Sequence, residues 1–182
     1  MRDKENRSLG FTLIELIVTI AIAAILMGIA IPNFTEIIAN NRMTASTNEL
    51  VTALNFARSE SVKRGVRVTV CKSANASTCV TNGAWSQGWI VFTDQNNNAA
   101  YNSSSETLLK VHEASQGQIT MSGNTNVDSY ISFTGSGQSQ LISGAFQAGT
   151  ITICDNRTGN FGKNLVLIGT GRLRTETNIS CP

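Results

Sequence analysis

From Phe11 to Ile31 the chain is a nearly unbroken apolar run, with Glu15 as its one charged residue. About 20 apolar residues span about 30 Å of hydrocarbon as a helix. Beyond Pro32 the run gives way to a stripe. Met43, Leu50, Val51, Leu54, Ala57 and Val62 recur mostly every three or four positions, the period of an amphipathic helix. Lys63 and Arg64 suit the negative end of such a helix, and Gly65 supplies a stop. The pattern therefore predicts one helix over 11–64, with Pro32 the position where it would kink. After Gly65 the period shortens. Val66 to Cys71, GWIVFTD (88–94), ETLLKVHEA (106–114), SYISFTGSG (129–137), GTITICD (149–155) and NLVLIGTGRLRTE (164–176) read as strands between turn residues. DQNNNAAYNSSSE (94–106) reads as a polar loop. A long helix followed by short strands predicts an α+β fold, with an antiparallel sheet or small sandwich packed on the helix.

Composition adds a compartment and removes a class of partner. Of 182 residues only 14% are charged and the formal net charge is +2, so any nucleic-acid contact must be a local patch. The four cysteines, Cys71, Cys79, Cys154 and Cys181, all follow the apolar run. An even number favours disulfides in an oxidising compartment. Three pairings are open. Cys71–Cys79 with Cys154–Cys181 is preferred, because each pair brackets one contiguous block. A zinc site is disfavoured: there is no C-x-x-C, and His112 is the only histidine.

The first residues, MRDKENRSLG, carry Arg2, Lys4 and Arg7 ahead of the apolar run. Cations on that side predict a cytoplasmic N-terminus and an outward C-terminal domain, in agreement with the cysteines. Glu15 is costly there, about 2.5 kcal/mol or more on insertion scales, less near an interface. One reading is an interfacial carboxylate. The other is a charge awaiting a partner, since a cut after Gly10 would free an α-amine on Phe11. G-F-T-L-I-E-L, the apolar run and IPNF together resemble a type IV prepilin. The resemblance implies a prepilin peptidase that cuts between Gly10 and Phe11 and methylates the new amine. It implies that Glu15 neutralises that amine on a neighbouring subunit. It also implies an inner-membrane protein with one span and a periplasmic C-terminal domain, later extracellular in a pilus beside other major and minor pilins. The expected divisions are a leader at 1–10, a membrane and assembly helix at 11–31, its amphipathic continuation at 32–65 and a β-rich pilin domain at 66–182.

A second resemblance covers residues 48 to about 114. NELVTALNFARSESVKRG, a strand, GWIVFTDQNNN and ETLLKVHEA resemble the GspH/FimT branch of minor pilins and pseudopilins, which includes FimU.

Other constellations fail as chemistry. Asp94, Asn96 and Asn98 match the start of a calcium loop, but Ala99 and Ser105 replace its glycine and its bidentate glutamate, leaving an Asx-rich turn. Gly135-Ser136-Gly137 and Gly169-Thr170-Gly171 lack the third glycine of a dinucleotide loop. His112 has no identifiable nucleophile or orienting acid and reads as a strand residue. Trp85 and Trp89 read as core or hairpin packing. No enzyme, cofactor or metal is indicated.

Gly171-Arg172-Leu173-Arg174 remains. In an extended strand Arg172 and Arg174 share a face and Leu173 points inward. The arginine bases then stand about 6.6 Å apart, roughly twice the rise per base of one DNA strand. Lys163 and Arg157 lie in the same Cys154–Cys181 block and are candidate flanks. From the residues alone a solvated hairpin edge, where charge guards against aggregation, is the preferred reading of the block. The run also resembles the C-terminal G-R-x-R motif with which FimT members bind DNA, matching at Gly171, Arg172 and Arg174. That resemblance implies DNA uptake in natural transformation. A FimU-like structural minor pilin that primes assembly at the tip and a GspH-like secretion pseudopilin are the alternatives.

Overall fold

The computed structural model describes residues 10–115 and 118–182, so most of the expected leader lies outside the described residues. The chain divides into two units, residues 1–39 and 40–182. Helix α1, Leu13–Arg64, belongs to both. It continues through position 32, so the proline does not end it.

In the first unit the apolar side chains of α1 are solvent-facing: Leu13 is 75% exposed and Ile25 66%. The segment is long and apolar enough to cross a membrane. Its start lies two residues after Phe11, because Thr12 caps it.

In the second unit α1 buries Met43, Leu50, Ala53, Leu54 and Ala57. Thr47 lies on the same face, its hydroxyl turned back to donate to the Met43 carbonyl at 2.7 Å. Val62 leaves the stripe and is 55% exposed. The strands are β1 (Val68–Lys72), β2 (Trp89–Thr93), β3 (Leu108–His112), β4 (Thr120–Gly123), β5 (Tyr130–Phe133), β6 (Gly149–Cys154), β7 (Gly159–Leu167) and β8 (Leu173–Cys181). They form two four-stranded sheets, ordered β3-β2-β1-β5 and β4-β6-β7-β8, with every pairing antiparallel. Val70, Val91, Ile131 and Phe133 from the first sheet meet Met121, Ile151, Ile153, Leu165 and Leu167 from the second in one core with the helix residues.

All residues of β1 and β2 are buried, on both faces. Their far side carries a second cluster of Cys71, Ile90 and Phe92, covered by Cys79, Tyr101 and Tyr130. Trp85 and Trp89 are fully buried in the core, as their packing reading requires. The bridges are Cys71–Cys79 and Cys154–Cys181, with Cα separations of 5.6 and 5.8 Å. Lys72, buried beside the first bridge, donates to the carbonyls of Thr81 at 3.1 Å and Gly83 at 2.7 Å and so pins the loop that Cys79 closes. The Asx-rich turn is present: Asp94 accepts from the amides of Asn98 and Ala99 and from the Thr69 hydroxyl.

Two expectations are corrected. Residues 164–176 are not one strand. β7 ends at Leu167, the chain turns over Ile168 to Gly171, and β8 begins at Leu173. Gly169 and Gly171 break the run, and Gly171 takes a φ of +79° that favours glycine. β4 is not among the expected strands because it is only four residues long with one apolar side chain, although Ile119 and Met121 are buried and Thr120 and Ser122 exposed in alternation.

Candidate functional site

The assembly motif comes first in the chain. Glu15 follows Thr12 by three positions, the spacing of a capping box. The Thr12 amide and hydroxyl both donate to Glu15 Oε2 at 2.9 Å, and the Glu15 amide donates to Thr12 Oγ1 at 3.3 Å. The carboxylate that reads as unpartnered along the sequence therefore has a partner within its own chain. T-x-x-E was the legible signal. Glu15 Oε1 takes no part in these bonds, which leaves an oxygen for a second donor.

The arginine motif is built on the β7–β8 turn. The Gly171 amide donates to the Ile168 carbonyl at 2.8 Å, and the Ile168 amide to the Arg172 carbonyl at 3.0 Å, so Arg172 sits at the exit of the turn rather than inside a strand. A Cβ on Gly171 would collide with the Gly137 carbonyl. Leu173 pairs with Leu167 and packs on the core, while Arg174 pairs with Val166. Arg172 and Arg174 are both exposed, on the face of the second sheet away from the core. Arg174 forms an ion pair with Glu176 at 2.5 Å. Among the described residues Arg172 makes no side-chain hydrogen bond or ion pair.

Lys163 and Arg157 do not join them. Lys163 pairs with Thr177, far down β8 from the turn, and sits two positions from core-facing Leu165. Its ammonium donates to Thr44 Oγ1 of α1 at 2.7 Å. Arg157 donates to Asp155 at 2.8 Å and to Asn40 Oδ1 at 2.9 Å, and lies 4.3 Å over the Phe161 ring. Both cations fasten the second sheet to the helix, at the end of β7 opposite the turn. Burial opposes the charge on Asp155, but the Arg157 hydrogen bonds outweigh it and hold the carboxyl below its usual range.

A different cation stands behind the turn. Arg58 of α1 donates through Nε to the Gly137 carbonyl at 2.9 Å and through Nη2 to the Thr170 carbonyl at 3.2 Å. Among the described residues it forms no ion pair with a carboxylate. No sequence signal marks Arg58, because its partners lie 79 and 112 residues away. Arg67, just past the helix, donates to the carbonyl and side chain of Gln140 at 2.9 and 2.7 Å, in the same connecting loop. The helix end, the loop 134–147 and the β7–β8 turn thus form one basic end of the second unit.

The family model described as Type II transport protein GspH matches residues 46–171, more than half of the chain. The chain belongs to this family. The Prokaryotic N-terminal methylation motif matches residues 6–31, which contain Gly10, Phe11 and Glu15. The GspH match ends at Gly171, so Arg172, Arg174 and all of β8 lie beyond the matched residues. No curated protein sequence matches the chain. Among solved structures, the type IV minor pilin FimU of Pseudomonas aeruginosa (strain PAO1) is similar in two crystal forms. In the P21 form the identity is 22%, over 82% of this chain and 96% of that one, with a TM-score of 0.59. In the P65 form the identity is 21%, over 76% and 96%, with a TM-score of 0.55. Identity at this level carries the fold: a long helix on antiparallel sheets, as in FimU.

Proposed function

We infer that this GspH-family chain is a minor type IV pilin that binds DNA through its β7–β8 turn, serving DNA uptake in natural transformation. The observation that carries the reading is the turn itself. Arg172 is exposed and unpaired at the exit of a turn fixed by Gly171, with Arg174 two positions on and Arg58 behind. Upstream, a prepilin peptidase cuts between Gly10 and Phe11 and methylates the amine. The protein then waits in the inner membrane with its C-terminal unit in the periplasm, until Glu15 meets the Phe11 amine of a neighbouring pilin and the subunit enters the filament.

Phosphates are the natural targets of such a site. Two to four would be neutralised, so log affinity should fall against log salt with a slope of about −2 to −4, and sequence preference should be slight. The test is DNA binding by the detergent-solubilised chain at low and moderate salt, beside an Arg172→Gln, Arg174→Gln double variant whose circular dichroism matches the parent. Loss of binding in the folded variant is expected. Equal binding would place the patch elsewhere, and no binding by the parent would end the DNA reading.

The second reading is a structural minor pilin that primes assembly, or a secretion pseudopilin. The likeness to FimU favours the former, and so does the pairing of Arg174 with Glu176, which halves the free charge of the motif.

A further inference from the structure

The loop 134–147 holds an aromatic side chain that the fold does not use. Phe146 is 69% exposed, more than any other large apolar side chain described in the second unit. It belongs to neither hydrophobic cluster. Its backbone is nevertheless fixed. Phe146 is bridged to Gln140, and the next residue, Gln147, donates its amide to the Ser139 carbonyl at 3.0 Å. Ser139 in turn donates to the Ile168 carbonyl at 3.0 Å, tying this loop to the arginine turn. A Cβ on Gly169 would lie 3.1 Å from Phe146 Cβ, so the ring emerges directly against the turn that presents Arg172. Ile168, 46% exposed, adds apolar surface beside it. Thus an outward aromatic ring on a rigid mount stands next to exposed guanidinium groups.

A cationic surface alone serves a duplex, whose phosphates face outward and whose bases are hidden. A ring on the same surface reaches a base face in a duplex only by wedging the stack apart, at a cost in unstacking that an unpaired strand does not carry. An unpaired strand offers both groups, phosphate for the arginines and a base face for the ring, and such stacking tolerates any sequence. We propose that Phe146 stacks on a base, so that the ligand of this basic end is single-stranded DNA in preference to duplex. This rests on the DNA reading above and narrows it.

The test uses the full chain in detergent micelles, with two probes of mixed sequence: a short single strand, and a duplex dumbbell closed at both ends so that no base is free. Fluorescence anisotropy at low salt should show tighter binding to the single strand. Phe146→Ala should weaken single-strand binding by about five-fold or more, within the range of removing one base stack, and leave dumbbell binding within two-fold. Phe146→Trp should retain single-strand affinity, and its added indole emission should be quenched by the single strand and not by the dumbbell. Thermal melting of both variants at the parent temperature shows that the fold is intact. If the parent binds both probes equally and Phe146→Ala changes neither, base stacking is refuted while the phosphate reading stands. If the parent binds neither probe, both readings fall. If Phe146→Ala leaves DNA affinity unchanged but is excluded from filaments, the ring is a pilin contact and the proposal is overturned.

Discussion

Glu15 and Thr12 satisfy each other at the start of α1, and with the proposed assembly role this would give one carboxylate two separable jobs. As a cap it needs an acceptor oxygen; as counter-charge to a neighbour's amine it needs a negative charge. Glu15→Ala removes both and should still insert in the membrane but enter filaments poorly. Glu15→Gln keeps an amide oxygen for Thr12 and lacks the charge. Counting each variant in sheared filaments tells the jobs apart: Gln failing as badly as Ala assigns the defect to charge, while normal incorporation of Ala would contradict the assembly role. Asp155 makes a prediction in pH. Its folded-state pKa lies below the unfolded value. The stability it contributes is therefore present above the unfolded value, near 3.8, and is lost as pH falls through the folded one. Thermal melting from pH 5 to pH 2 should fall more steeply for the parent than for Asp155→Asn. Parallel curves would mean that the carboxylate adds nothing there.

The β7–β8 hairpin shows why some elements were legible and others were not. Local features read well. The helix period, the Gly65 stop and the Cys71–Cys79 pair depend on residues close in sequence, and the structure has them. The hairpin was hidden because apolar residues continue on both sides of its turn, at Leu165, Leu167 and Leu173, so the run passes for one strand. Gly169-Thr170-Gly171 was the visible warning. Grouping Lys163 and Arg157 with Arg172 followed proximity along the chain, which strand geometry overrides: alternation turns Lys163 to the helix side, and the length of β7 carries Arg157 to the far end. Arg58 and Phe146 reach the turn only through tertiary contacts, so no local pattern could show them. The hairpin is also sealed by Cys154–Cys181 across 27 positions. A Cβ on Gly162 would lie 2.6 Å from Cys181 Sγ, so glycine makes room for the bridge. Replacing both cysteines by serine should cost about 3 to 4 kcal/mol on the chain-entropy model, measured by denaturant unfolding. A loss below about 1 kcal/mol would mean that strand pairing alone holds β8.

At the scale of the molecule, one end of the chain serves assembly and the other presents a surface. The match to the methylation motif spans Gly10 and Phe11, the proposed processing site. Mass spectrometry of assembled filaments should find Phe11, methylated, as the first residue, and intact Met1 there would overturn the pilin reading. A filament subunit is also a mechanical part. Arg174 stands on the outermost strand of its sheet and Arg172 just before it, and an edge strand under tension ordinarily unzips rung by rung. Here the disulfide joins the last residue of β6 to the last of β8, so the segment is a closed covalent ring with the turn at its apex. A pull on the turn divides between two strands in parallel, and even with every strand pairing lost Arg172 could stand no more than about 30 Å from Cys181, the reach of the shorter arm of the ring, before the covalent bonds took the load. A ligand gripped by these arginines, as proposed, would be held by a tether with a hard stop.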